Sequence, residues 1–479
     1  MREVNKWNDA EFVKNWCKTQ GDYGDISRKA LINPIIKELA LLISNKENID
    51  ERLIVDRFIN NQSKTLHNVG RGNWDTKLIK WHSNFKKEKS FKNDINILDL
   101  GCGEGYLGRW LTSVKKIKYS GYDISELLIS EAKKKSGISS NCKYSVLNLE
   151  KDFNNIKDIR LNIPNAPLLM VMVNVIEHTE DPVKYLKMLS EKFPKSYFVL
   201  FTLNEEYFDI KAKEIIKRHD EISEVEIEGV GKIEVRFRHK RIVDEILRNA
   251  RFQVIQSAPI YFPFKHENHT INPFNCFICR SLPSKQELSE SDRTSIMSIF
   301  KNANGGSTNS DIKINREEIS KYYFEEIEKL EFHKNETVIS SNSIGGDLWV
   351  INNGVLKLEN DIEPIYFEEK NEILGEFEIR ESTVKNYGYY LYPVKSITDK
   401  AVVFRIPSNI VEKIFSINSQ NMGDKLFTSL KSRLREVIWS YVTPKCKSLN
   451  ANNKKHIGNH KLMQLSRVTR FDPLAGHAL

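Results

Sequence analysis

One short stretch constrains the fold more than any other. It runs Asn96-Ile97-Leu98-Asp99-Leu100, then Gly101-Cys102-Gly103-Glu104-Gly105, then Tyr106 to Leu111. The first part reads as a buried strand, the glycines as a tight turn, and the last part as the start of a helix. Glycines at such a turn let backbone N–H groups approach a ligand closely, and the helix N-terminus beyond favours negative charge such as a carboxylate. A dinucleotide fingerprint needs a glycine where Tyr106 stands; the spacing Gly-x-Gly-x-Gly argues against NAD.

Around this turn, from Met1 to about Leu282, apolar runs of strand length alternate with amphipathic helical stretches, the pattern of a mostly parallel sheet. The chain has 479 residues, 40% hydrophobic and 29% charged, which predicts two or three globular domains. The longest apolar run, Ala166 to Ile176, is broken by Asn174 and is too short for a membrane helix. The first residues, with Arg2, Glu3, Lys6 and Asp9, do not read as a secretion signal. Six scattered cysteines form no disulfide framework, so a cytoplasmic location is expected. The net charge of +9 permits a nucleic-acid partner without requiring one.

The next strand, Ile117 to Tyr122, ends in Asp123, a position from which a carboxylate can accept both hydroxyls of a ribose. A strand ending Asp99-Leu100-Gly101-Cys102-Gly103-Glu104-Gly105 and a second ending Gly121-Tyr122-Asp123-Ile124-Ser125 closely resemble the class I S-adenosylmethionine (SAM)-dependent methyltransferases. The resemblance covers roughly Tyr23 to Leu282 and implies an α/β, Rossmann-like fold with SAM as cofactor. It implies that Gly101, Gly103 and Gly105 hold the methionine part of SAM, Asp99 orients its amino group and Asp123 binds its ribose. Ile124, Leu149 and Asn174 join the cofactor-binding set. A third strand over Tyr144 to Glu150 presents Asn148 where the family usually has an acid for the adenine amino group; an amide carbonyl accepts the same bond.

The fourth strand, Leu168 to Val173, runs into Asn174-Val175-Ile176-Glu177-His178 and then Asp181-Pro182. This resembles the family's acceptor loop, and makes His178 and Glu177 the candidate catalytic residues, since a base is needed only to strip a proton from a hydroxyl or amine. An alternative resemblance, to small-RNA 3′-terminal 2′-O-methyltransferases, would make Glu177, His178 and His239 ligands of a divalent metal. In a third reading the domain binds SAM without catalysis. Arg236, Arg238, Lys240 and Arg241 alternate as on a strand and face phosphate or water, water being the simpler reading. Cys276 and Cys279 have half the spacing of a zinc site and no second pair, which places them in the last strand instead. Tyr23 and Arg28 stand where related enzymes fold a helix over SAM.

Residues 283–316 turn polar, include a short helical stretch near Arg293 to Lys301 and a Gly305-Gly306-Ser307 break, and read as a linker. A helix over Glu317 to Leu330 and short alternating segments follow, predicting a small antiparallel barrel or sandwich with flanking helices over 317–444. These segments resemble the cyclic-nucleotide-binding homology domain, with Phe332 to Ile339 as the opening strand and Gly346 to Gly354 as its turn-strand-glycine signature. That resemblance implies a regulatory cyclic nucleotide held by Gly375, Glu376 and Lys385. Lys385 stands where the family has arginine and so lacks the planar fork that clamps a phosphate. Dimerisation through this domain is a further expectation. Residues 445–479 form a basic tail without periodicity.

Overall fold

The computed structural model describes residues 6–20, 24–25, 27–47, 49, 74–84, 91–137, 141–204, 215–219, 222–227, 230–260, 265–266, 269–270, 274–303, 324–341, 343–359, 364–368, 370–371, 373–374 and 393–410. The chain divides into two compact units, Met1–Leu282 and Pro283–Leu479.

The first unit is built on β1 (Ile95–Leu100), β2 (Ile117–Asp123), β3 (Cys142–Val146), β4 (Leu168–Val173) and β5 (Tyr197–Leu203), all parallel. Three short strands follow as an antiparallel insertion, β6 (Ile215–His219), β7 (Ile222–Ile227) and β8 (Gly231–Arg236). Then come β9 (Phe252–Ile260), the two-residue pair β10 (Lys265–His266) and β11 (His269–Thr270), and β12 (Phe274–Ser281). The main sheet has the order β3-β2-β1-β4-β5-β12-β9, with β12 antiparallel to both its neighbours. Every residue of β1 is buried, as expected for a central strand covered on both faces.

Alternation along the strands sends side chains into two cores. Ile97, Leu169 and Val171 face one with α2 (Asn33–Ser44), while Leu98, Leu100, Met170 and Met172 face the other with α7 (Pro182–Lys192) and α8 (Lys240–Asn249). The remaining helices are α1 (Ala10–Gln20), α3 (Trp74–Asn84), α4 (Tyr106–Leu111), α5 (Glu126–Ser136) and α6 (Phe153–Asp158). Strand order reverses at β1, whose neighbours β2 and β4 run to opposite sides. The carboxyl ends of β1 and β4 therefore open the crevice in which a sheet of this kind binds its ligand. Among the described residues no helix is long and apolar enough to cross a membrane.

The second unit opens differently from the expected linker. Residues 290–303 form α9 (Glu290–Ala303), started by a capping box between Ser289 and Asp292. Ile296 on α9 is buried among Phe324, Ile327, Leu348, Val350, Phe404 and Ile406, so this stretch belongs to the second unit's core. The helix expected to reach Leu330 gives way to β13 (Glu328–His333), whose alternating burial suits a strand. A turn at Lys334 separates it from β14 (Thr337–Ile339), splitting the expected opening strand.

With β15 (Leu348–Asn353), β16 (Leu356–Leu358), β17 (Ile365–Phe367), β18 (Ile373–Leu374), β19 (Val394–Ser396) and β20 (Lys400–Ile406), two four-stranded antiparallel sheets form. Their pairing is nested: β13 with β20, β14 with β19, β15 with β18, β16 with β17. Of the expected barrel or sandwich, the antiparallel sheets are present, and no closed barrel is seen among the described residues, since each sheet keeps two edge strands.

Candidate active site

The glycine loop between β1 and α4 is held by its own sterics. Gly101, Gly103 and Gly105 have φ of +80°, +54° and +76°. A Cβ at Gly101 would lie 2.1 Å from Val175, and one at Gly105 2.6 Å from the Tyr144 ring. At Gly103 the nearest atom among the described residues would be Trp16 Nε1 at 4.0 Å, an ordinary contact, so this glycine alone of the three has room for a Cβ. Asp123, at the end of β2, fixes the loop: its Oδ2 accepts the Gly103 N–H at 2.8 Å and its Oδ1 the Ser125 N–H at 2.9 Å. Burial raises the Asp123 carboxyl, while these amides pull it back.

Asp99 is buried on β1, and its Oδ2 accepts the Tyr119 hydroxyl at 2.5 Å. Burial pushes its carboxyl up to about 7; the Tyr119 bond lowers it, Asp123 raises it and Arg28 lowers it. Arg28 is buried in ion contact with Asp25 and stacked against Trp16 and Tyr106. Tyr23 lies outside the described residues.

The N-terminal segment covers this corner. Trp7 accepts a backbone hydrogen bond from the Ser125 hydroxyl, and Asn8 Oδ1 accepts the Glu126 N–H at 3.2 Å. Phe12 packs with Val225, Val230, Ile233 and Val235 in a small core shared by α1 and the inserted sheet, with Trp7 and Trp16 against it.

At the ends of β2 and β3, Ile124 is 37% and Val146 45% exposed, two large apolar side chains left uncovered beside Asp123. Leu149 is buried. The third strand ends at Val146, earlier than the sequence led us to expect, because Asn148 closes a turn. Its Oδ1 accepts the Glu150 N–H at 3.0 Å and its own N–H donates to Asp152 Oδ2 at 2.8 Å.

After β4, Asn174 adopts φ +53° and donates its N–H to the Phe201 carbonyl. Among the described residues its buried Oδ1 accepts no hydrogen bond, nor does the Oε2 of Glu177. Glu177 Oε1 accepts the Leu203 N–H at 2.6 Å, and burial raises this carboxyl to about 7. His178 ends the short 3₁₀ turn Ile176–His178, with Nδ1 3.2 Å from the Glu234 carbonyl and the Trp7 ring edge-on at 5.5 Å. Part of the His178 ring reaches solvent, yet desolvation by its neighbours pushes it down to about 4, which leaves it neutral at pH 7.

His239 stands apart as the N-cap of α8, its Nδ1 accepting the Arg241 N–H. Glu177, His178 and His239 thus form no ligand set. Among the described residues no group of three or more His, Cys, Asp or Glu side chains could hold a metal ion.

The basic run does not alternate along one strand, since β8 ends at Arg236 and α8 begins at Lys240. Arg236 pairs with Glu180, Lys240 with Asp244 and Arg241 with Glu245, while Arg238 is buried. Cys276 and Cys279 are buried on β12 in different cores, and burial raises both thiols. They cannot share a metal.

Residues 73–256 match a family model described as a methyltransferase domain. These residues therefore carry a methyltransferase domain. No curated protein matches the chain. Among solved structures, an S-adenosylmethionine-dependent methyltransferase from Mesorhizobium loti is similar at 15% identity, over 39% of this chain and 91% of that one, with a TM-score of 0.29. One from Clostridium acetobutylicum is similar at 16% identity over 47% and 98%, with a TM-score of 0.28. Magnesium protoporphyrin IX methyltransferase from Synechocystis, with bound SAH, is similar at 11% identity over 57% and 96%, with a TM-score of 0.30.

In the second unit Gly375, Glu376 and Lys385 lie outside the described residues. An ionic cluster that the sequence did not announce is buried there: Arg405 Nε donates to Asp347 at 2.7 Å and its NH1 to Glu328 at 3.2 Å. Asp347 also accepts the Ser408 N–H at 2.9 Å, so the carboxylates have a bonding partner on each side of the charge.

Proposed function

We propose that the methyltransferase domain transfers the methyl group of SAM to an acceptor hydroxyl or amine. The observation that carries this reading is the buried Asp123 carboxylate at the end of β2 holding the Gly103 amide of the glycine loop, within the matched domain. The residues suit SAM from end to end. Asp99 takes its ammonium group, Asp123 its ribose hydroxyls and Gly101, Gly103 and Gly105 its methionine part. Ile124 and Val146 give the adenine an apolar seat, flanked by Leu149 and Asn148, whose Oδ1 has a second lone pair to offer. Asn174 Oδ1 is an acceptor in need of a donor.

Bound SAM supplies an electrophilic methyl on a sulfonium. The protein's part is alignment, exclusion of water by the α1 cap, and removal of one proton from the acceptor by His178, with Glu177 behind it. Native mass spectrometry of the full chain should show one SAH per chain; no adduct at roughly 1 mM SAH would sink the reading. SAH production with any acceptor would dispose of the non-catalytic alternative.

The pH dependence of binding follows from Asp99. Only its carboxylate pairs with an ammonium group, and in the ligand-free domain its carboxyl holds a proton up to about pH 7. SAM affinity should therefore rise with pH by about tenfold per unit below 7 and level off above it. Asp99→Asn should bind weakly with no such slope, and an equal slope in the variant would assign the titration elsewhere. Stability is a poorer gauge. Raised Asp99 and Glu177 lose stability as pH climbs from about 4 to about 7, while lowered His82 and His178 gain it between about 4 and 6.5.

For the second unit we propose a regulatory cyclic nucleotide, a reading that rests on the sequence resemblance over Gly346 to Gly354 and at Gly375-Glu376. A thermal shift with cAMP or cGMP, lost in Glu376→Ala, is the expected result. No shift at roughly 1 mM ligand would end this reading.

A further inference from the structure

Arg238 is a buried guanidinium just beyond β8. It donates to the carbonyls of Ile176, Thr179 (2.5 Å) and Glu180 (3.5 Å). These carbonyls lie on either side of Glu177 and His178, so one planar fork ties down both ends of the short 3₁₀ turn that carries them. From the other side Glu150 Oε1 accepts the N–H groups of Glu180 (2.6 Å) and Asp181 (3.0 Å). The loop's backbone is thus gripped by a cation on its carbonyls and an anion on its amides.

Glu234, whose carbonyl meets His178, sits on β8 four residues before Arg238. The guanidinium therefore fixes the loop against the same strand that orients the imidazole. A carbonyl only accepts, so the His178 bond needs Nδ1–H; in the neutral ring Nε2 is then the bare nitrogen.

We propose that Arg238 is a positioning residue: by clamping residues 176–180 to the end of β8 it holds His178 in the Nδ1–H tautomer, with Nε2 as the proton acceptor. The proposal rests on the reading of His178 as the acceptor-side base. Lysine cannot replace Arg238, because a point charge on a flexible stem does not span carbonyls on both sides of the turn.

The test is nitrogen NMR of the full chain labelled with ¹⁵N-histidine, the His178 signals being identified by their loss in His178→Gln. Wild type should show a single Nδ1–H tautomer. Arg238→Met should show a mixture, Arg238→Lys a partial return, and guanidinium ion added to Arg238→Ala should restore the wild-type pattern. An unchanged tautomer in a cooperatively folding Arg238→Met, or an Nε2–H tautomer in wild type, overturns the proposal. Where Arg238→Met does not fold, Arg238→Lys decides: a mixture supports the clamp and the wild-type pattern overturns it. SAH calorimetry on the same wild-type sample separates the two ideas. A chain that binds no SAH overturns the methyltransferase reading, whereas the tautomer result alone overturns the positioning.

Discussion

Asp123→Ala should lower SAM and SAH affinity by at least about 100-fold, measured by calorimetry. Two hydrogen bonds from ribose hydroxyls to a buried carboxylate are worth roughly 3 kcal/mol or more together, and a hundredfold is about 2.7 kcal/mol. The variant also frees the amides of Gly103 and Ser125, which Asp123 now accepts. Part of the loss then comes from a loosened glycine loop, and Asp123→Asn apportions it. Asparagine keeps an acceptor for one amide but loses the charge, so its affinity should fall between the two. Wild-type affinity in Asp123→Ala would remove Asp123 from the site altogether.

Gly101→Ala and Gly103→Ala should fail in opposite ways, although the positions are two residues apart. At Gly101 the new methyl would meet Val175 at 2.1 Å on a backbone with φ +80°. Left-handed strain of about 1–2 kcal/mol and overpacking of about 1–3 kcal/mol should together remove roughly 2–5 kcal/mol of stability. The melting temperature should drop by roughly 5–12 °C. At Gly103 no atom among the described residues stands nearer than 4.0 Å, so only the strain applies, and thermal unfolding should move by a few degrees at most. The cost should appear instead as a loss of at least about tenfold in SAH affinity, because the methyl occupies cofactor space. A Gly103→Ala protein that binds SAH normally would show that the room at Gly103 is not the cofactor's.

The loop containing these glycines was plain from the sequence because its chemistry is local. A strand, a turn that only glycine can make and a helix start follow one another within sixteen residues, and Asp123 announces itself by ending the next strand. Glu177 and His178 drew attention only through the resemblance of their stretch to an acceptor loop. What was misjudged lies where distant segments compete. Asn148 was read as a strand end, but Asp152 and Glu150 draw its backbone into a turn. Arg238 was read as one of an alternating basic row. Its neighbours do pair with acids, but Arg238 itself turns inward to carbonyls more than fifty residues away. Glu150 had no signal at all, because its partners are backbone amides, which every residue has.

The second unit divides in the same manner. Alternating apolar residues identified short antiparallel strands one by one, but nothing in a strand's own residues says which other strand it joins. The nested pairing that makes two sheets is set by contacts across the whole unit.

Residue order was therefore enough to establish a parallel α/β domain with a glycine-walled crevice and two carboxylates poised at strand ends, since each depends on neighbours a few positions apart. Three things were decided by the folded chain. They are that Gly103 has room for a Cβ while Gly101 and Gly105 are packed, that His178 meets Glu234 and Trp7, and that Arg238 and Glu150 grip the loop between them. Each depends on which distant groups share one small volume once the chain has buried its apolar surface, and burial is also what moves Asp99, Glu177 and His178 from their ordinary proton affinities.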